Sequence, residues 1–250
     1  MYTLKKSLGQ HFLKDDSVSV RIVEALRERP FTKLLEVGPG GGALTRHLMQ
    51  LEGLDFKAVE IDEEKIQYLL KTYPALQHKI IAASMLEMDK PFDGHFTVVG
   101  NFPYNISTQI VFKILDWRND VDTMIGMFQK EVAMRIAAKP GNKDYGILSV
   151  VAGAFFTVDY LFEVDENAFN PPPKVKSAVI RLVNACNPFQ IENYPRFLWL
   201  VKTAFGQRRK QLKNPLKSYF SNEDLQDPIF TKRAEQLSVA DYVALMKRIK

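Results

Sequence analysis

The chain has 250 residues, 46% of them hydrophobic and 25% charged, with 34 Lys and Arg against 29 Asp and Glu. That is enough chain for a true core and the composition of a folded globular protein, which excludes wholesale disorder. A single cysteine, Cys186, excludes a disulfide scaffold and a thiolate metal cluster, and no apolar run nears the roughly 18 residues that a membrane span needs. The opening stretch MYTLKKSLGQHF lacks the apolar region of a signal peptide, so a cytoplasmic protein is expected. Charge is uneven. Residues 1–170 hold 19 Lys and Arg against 23 Asp and Glu, whereas residues 171–250 hold 15 against 6. This is the pattern of a polyanion-binding module joined to a near-neutral domain, although a solvated basic surface without a partner would look the same.

From residue 32 to about 183, short apolar runs alternate with helix-period segments. Strands are expected at 33–37, 56–61, 79–83, 97–100, 123–128, 157–164 and 177–183. The first four are mostly apolar runs rather than alternating ones, as in a parallel sheet covered on both faces. Helices are expected at 43–51, 63–72 and 107–116, the last with Ile110, Val111, Ile114 and Leu115 as its apolar stripe. The alternation predicts a Rossmann-like, doubly wound α/β domain over residues 1–183. Beyond the turn-rich stretch after Val183, the pattern is helical, with helices expected at 197–205, 213–220 and after an N-cap at Ser238. A small, basic, all-helical domain over residues 184–250 is the simplest account.

The first strand runs into Glu36-Val37-Gly38-Pro39-Gly40-Gly41-Gly42, and the second ends at Glu60-Ile61-Asp62. Glycines between a strand and a helix let a ligand approach the backbone and the helix N-terminus, and an acid about 20 residues on can hold a ribose. By itself this pattern fits a dinucleotide fingerprint, an S-adenosylmethionine loop or a structural turn. Two features favour S-adenosylmethionine. Pro39 removes an N–H that a pyrophosphate cradle would use, and Glu36 stands where it can order the loop or meet a cationic ligand. The fourth strand ends in Asn101-Phe102-Pro103-Tyr104. An exocyclic amine has its lone pair delocalised into the ring. The Asn101 oxygen and the carbonyl of Phe102 or Pro103 can accept its hydrogens and localise that pair, while Tyr104 stacks on the base. The motif specifies an amine nucleophile, which could belong to adenine, cytosine or a glutamine side chain. Phe169, before three prolines, is a candidate for the other face of a flipped base, the alternative being a packing residue.

Read in order, Gly9-Gln10-His11-Phe12-Leu13, Glu36-Val37-Gly38-Pro39-Gly40, Val59-Glu60-Ile61-Asp62, Asn101-Phe102-Pro103-Tyr104-Asn105-Ile106-Ser107, Gln129-Lys130-Glu131-Val132, Phe169-Asn170-Pro171-Pro172-Pro173-Lys174-Val175 and Ala204-Phe205-Gly206-Gln207-Arg208-Arg209-Lys210 resemble the KsgA/RsmA-type ribosomal RNA adenine N6-dimethyltransferases. The resemblance implies an enzyme that uses S-adenosylmethionine to dimethylate two adjacent adenosines in the loop of the last helix of 16S rRNA. Its partner would be the 30S subunit or its precursor late in assembly. It implies cofactor contacts from His11, Leu13, Glu36, Gly38, Gly40, Glu60, Ile61, Ser84, Met85 and Asn101. It places Asn101, Phe102, Pro103, Tyr104 and Phe169 at the target base. The family usually has Asn at the place of His11, Leu at that of Phe102 and Asp at that of Ser84; a serine accepts a hydrogen bond from the adenine amine more weakly. The cations Arg208, Arg209, Lys210, Lys213 and Lys217 are the expected RNA phosphate contacts. A rival within the same chemistry is a methyltransferase for one adenosine of large-subunit rRNA, and a rival of another class is a non-enzymatic assembly factor. The four histidines show no metal-ligand spacing, and a monomer is the default.

Overall fold

The structure, a computed structural model, describes residues 11–250; Gly9 and Gln10 of the first matching stretch lie outside the described residues. Seven strands form one sheet in the order β4 (Ile80–Ala82), β3 (Asp55–Glu60), β2 (Lys33–Val37), β5 (Phe96–Asn101), β6 (Val121–Gln129), β9 (Ser177–Asn184) and β7 (Phe156–Val164). β2 through β6 run parallel, and β9 is antiparallel to β6. The sheet is wound outward in both directions from β2 and β5, so the crevice beyond their carboxyl ends is where a doubly wound sheet takes its ligand. β1 (Phe12–Leu13) and β8 (Phe169–Asn170) make a separate antiparallel pair, Leu13 opposite Phe169. The expected strands are all present, with ends displaced by one or two residues.

The helices α3 (Glu63–Thr72) and α4 (Ser107–Asp116) have the expected bounds, and the α4 stripe is fully buried. α2 (Thr45–Leu48) is shorter than the expected 43–51. Gly38, Gly40 and Gly42 have positive φ, and the loop they shape occupies the residues before the helix. Sequence reading missed α1 (Asp16–Arg27), which Asp15 caps by accepting from the Ser17 N–H at 3.0 Å.

Two compact units emerge: residues 1–133 with 159–183, and residues 134–158 with 184–250. One break falls after Val183, and residues 134–158 group with the helical part. The reason is α6 (Ile147–Phe155), apolar on every side, which packs against α7 (Tyr194–Gly206) and α9 (Val239–Met246). Phe155 meets Tyr194 edge to face at 5.5 Å. α5 (Lys130–Ala137) carries the chain into this unit. α8 (Lys213–Leu216) continues only as a 3-10 turn at Lys217–Tyr219 rather than as helix to residue 220. Ser238 caps α9 as expected, its hydroxyl and main-chain N–H both donating to Asp241 Oδ2 at 2.8 Å. Among the described residues no helix is long and apolar enough to cross a membrane.

Candidate active site

A cleft of about 570 Å³ opens at the carboxyl ends of β2, β3 and β5. It is lined by His11, Leu13, Glu36, Gly38, Gly40, Glu60, Ile61, Ser84, Met85 and the run from Asn101 to Tyr104, so the motifs read separately along the chain meet in one place.

Glu60 closes the β3 end. Its carboxylate accepts the N–H of Ile61 and of Asp62 at 3.0 Å and that of Gly40 at 3.3 Å, with Lys65 Nζ 4.0 Å away. Only Gly tolerates φ of +56° without strain at the position that delivers the third amide. Glu36 is wholly buried and accepts from Thr45 Oγ1 at 2.8 Å. Loss of water pushes its carboxyl up from 4.5 to about 8; the Thr45 hydrogen bond opposes this and the Glu60 charge adds to it. Glu36 is therefore neutral in the folded protein at neutral pH. Below its ordinary pKa the carboxyl is neutral in both folded and unfolded chains. As pH rises from about 4.5 to about 8 only the unfolded chain ionises, so stability falls across that window and levels off above it. At 1.36 kcal/mol per unit the loss is about 3 to 5 kcal/mol. Urea unfolding of wild type and Glu36→Gln at pH 5 and pH 8 checks this: the stability difference between them should shift by that amount in favour of the glutamine variant. A difference independent of pH would refute it.

β5 delivers the second wall. Phe102 is 1% exposed, and its ring sits over two glycines that are register partners, Gly100 of β5 and Gly126 of β6. A Cβ at Gly126 would lie 2.2 Å from Phe102 and 2.7 Å from Phe128, and one at Gly100 would lie 2.7 Å from Phe102. The Phe102 N–H donates to the Met127 carbonyl at 3.2 Å, so ring and backbone both anchor the turn. The Asn101 amide nitrogen donates to the His11 carbonyl at 3.5 Å, which leaves its Oδ1 as an acceptor. The Pro103 carbonyl accepts the Ile106 N–H at 3.2 Å. The Tyr104 hydroxyl is bonded to Ser177 Oγ, and burial pushes the phenol up against that bond, so it stays neutral. The His11 imidazole lies on the Tyr104 ring at 5.5 Å and 30°, with Nδ1 2.9 Å from the Pro171 carbonyl.

Phe169 departs from expectation. Its ring is 1% exposed and belongs to the core with Leu13, Val164 and Val179, because the β1–β8 pairing turns it inward. It does not line the cleft, and the packing alternative describes it correctly. Ser84 lines the cleft while its hydroxyl accepts the Leu86 N–H at 3.3 Å. Sequence reading missed Lys65, which is 7% exposed and stands between Glu60 and the Phe12 ring. Its place in the first turn after the Glu60 strand is the signal that could have found it.

In the second unit, Arg209, Lys210, Lys213 and Lys217 are exposed. Arg208 instead donates to the Lys143 carbonyl, with Nε 3.8 Å from Glu235. Arg248 is held by Asp224 and Asp227.

The family model for ribosomal RNA adenine dimethylase matches residues 1–250. The chain belongs to that family. It is an rRNA adenine dimethyltransferase that uses S-adenosylmethionine. Among its relatives is "Ribosomal RNA small subunit methyltransferase A" of Phocaeicola vulgatus, 48% identical over 250 residues, covering 98% of this chain and 89% of the relative. The protein of the same name from Flavobacterium johnsoniae is 46% identical over 249 residues, covering 98% and 95%. Of solved structures, a dimethyladenosine transferase from Plasmodium falciparum shares the fold at a TM-score of 0.79 and 24% identity, covering 94% of this chain and 96% of that one. The 23S rRNA methyltransferase ErmE matches at 0.72 and 25%, covering 95% and 99%. The dimethylase cleft suits its cofactor. A carboxylate oriented by three amides faces a glycine loop, and Ile61, 65% exposed, offers an apolar face beside buried Met85.

Proposed function

We propose that this dimethylase, as a cytoplasmic monomer, converts two adjacent adenosines in the loop of the 3'-terminal helix of 16S rRNA to N6,N6-dimethyladenosine, acting on the small subunit or its late precursor. The observation that carries the reading is the meeting, in one cleft, of the Glu60-braced glycine loop with Asn101-Phe102-Pro103-Tyr104. When bound, S-adenosylmethionine supplies a methyl group activated by a positively charged sulfur. Glu60 holds the ribose: a carboxylate offers about four acceptor sites, so its amide bonds still leave room for hydroxyls. Ile61 and Met85 flank the adenine, Ser84 accepts from its amine, and Leu13, Gly38 and Gly40 close around the rest. His11 stands at the cofactor's end of Tyr104, and Glu36 orders the loop from below as a neutral acid.

The target amine is oriented by Asn101 Oδ1 and a main-chain carbonyl. Because the Pro103 carbonyl already accepts the Ile106 N–H, that of Phe102 is the better second acceptor. The target adenine stacks on Tyr104. Orientation of this kind, more than base catalysis, accelerates the attack. Arg209, Lys210, Lys213 and Lys217 take RNA phosphates.

Transfer of labelled methyl groups to small subunits prepared without this modification tests the reading, with large-subunit rRNA in parallel and nucleoside mass spectrometry of the product. Two dimethyladenosines per small subunit are expected. Label only in large-subunit RNA would overturn it in favour of the reading that the ErmE likeness supports. Ser84→Asp should tighten S-adenosylmethionine binding about fivefold by calorimetry, since a charged acceptor makes a hydrogen bond roughly twice as strong. An unchanged or weaker Kd would remove Ser84 from the adenine contact.

A further inference from the structure

Two segments from elsewhere in the chain are tied to the Arg208 segment and bring further cations to it. Gly141 N–H donates to the Glu235 carbonyl at 2.7 Å, and Leu212 N–H to that of Lys232 at 2.8 Å. Gln211 and Arg233 form an antiparallel bridge. The Arg208 guanidinium reaches across to the Lys143 carbonyl. Residues 139–143, 208–213 and 232–235 are therefore laced together, and they hold eight Lys and Arg against one acid, Glu235. That acid stands beside Arg208, and Lys139, Lys143, Arg209, Lys210, Lys232 and Arg233 are all exposed.

We propose that the loop 139–143 is part of the RNA-docking surface, with Lys139 and Lys143 as phosphate contacts and Arg208 as the positioning residue that fixes the loop beside Arg209 and Lys210. The proposal rests on the reading that this chain binds rRNA. Eight cations on three laced segments, with Glu235 the one acid among them, repel one another, and a polyphosphate backbone is the partner that relieves this. Arginine suits the positioning role because its planar fork can engage a carbonyl and a carboxylate together, which a lysine cannot do in the same geometry.

The test is binding of the full chain to unmethylated small subunits from 50 to 200 mM KCl. Wild type must first bind with a clear salt dependence; if it does not, the rRNA reading itself has failed. Given that binding, Lys139→Gln/Lys143→Gln should lower the slope of log affinity against log salt by about 1.4 to 1.8. It should bind about tenfold less salt-sensitively over this range. A wild-type slope in the double variant would overturn the proposal. Arg208→Lys keeps the charge and loses the fork. It should lower the slope as the double variant does, and adding it to the double variant should lower the slope no further. If Arg208→Lys behaves as wild type, or its effect adds to that of the pair, Arg208 is no positioning residue for this loop. Melting curves separate these effects from unfolding, and the exposed lysine pair keeps the test valid should Arg208 variants prove unstable.

Discussion

Asn101→Ala should lower single-turnover methyl transfer to unmethylated small subunits by about a hundred- to a thousandfold, the scale on which removing one oriented hydrogen-bonding group from a reacting centre is felt. Asn101 stands at the end of β5 with its amide nitrogen committed to the His11 carbonyl. That contact leaves its oxygen available as an acceptor, and alanine removes both the acceptor and the tether. S-adenosylmethionine affinity should change far less, because the glycine loop and Glu60 lie on other strands. A loss of rate under tenfold would show that the amine is oriented by main-chain carbonyls alone. An equal loss of cofactor affinity would show that Asn101 acts through its expected cofactor contact rather than through the target amine.

Gly126→Ala should cost about 3 kcal/mol of stability or more, at the upper end of what overpacking a core does. It lies in the middle of β6 with no unusual φ, so backbone strain is not the cause. The cause is space: the added carbon would stand 2.2 Å from one buried ring and 2.7 Å from another. Phe102 must move, and with it the turn that carries Asn101 and Pro103. The partner change Phe102→Leu opens that space, so the double variant should recover more than half of the loss in a urea-unfolding cycle. Simple additivity would mean that the two side chains do not compete for the same volume. Activity should fall more steeply than stability in the single variant, since a displaced turn misaligns the acceptors before the sheet gives way.

The sheet was legible because its central strands are short, mostly apolar runs, and the loops after β2 and β5 were legible because glycine, proline and asparagine punctuate them. α6 was missed for the opposite reason: a helix buried on all sides has no period to read. That omission also misplaced residues 134–158, whose partners α7 and α9 come much later in the chain. Phe169 shows a further limit. An aromatic beside three prolines reads as a rim, yet which way its ring turns is decided by pairing with Leu13, far earlier in the sequence. Arg208 is indistinguishable from Arg209 as a letter. Its commitment to the Lys143 carbonyl, 65 residues away, exists only in the fold.

The discontinuity of the first unit also sets an order of events. Residues 159–183 return to a body whose other part ends at residue 133, and they bring Ser177 to Tyr104 and Pro171 to His11, a contact spanning 160 residues. A chain emerging from its N-terminus has the glycine loop, Glu60 and Asn101 in hand well before these arrive, while the intervening stretch belongs to the other unit. Closing so long a loop adds only about 0.6 kcal/mol per doubling of its length, so the delay is one of time rather than of stability. The lip over Tyr104 is thus the last part of the cleft to be made. A nascent dimethylase still short of residue 171 lacks both Pro171 and Ser177, and with them the contacts that hold His11 and Tyr104 in the finished fold.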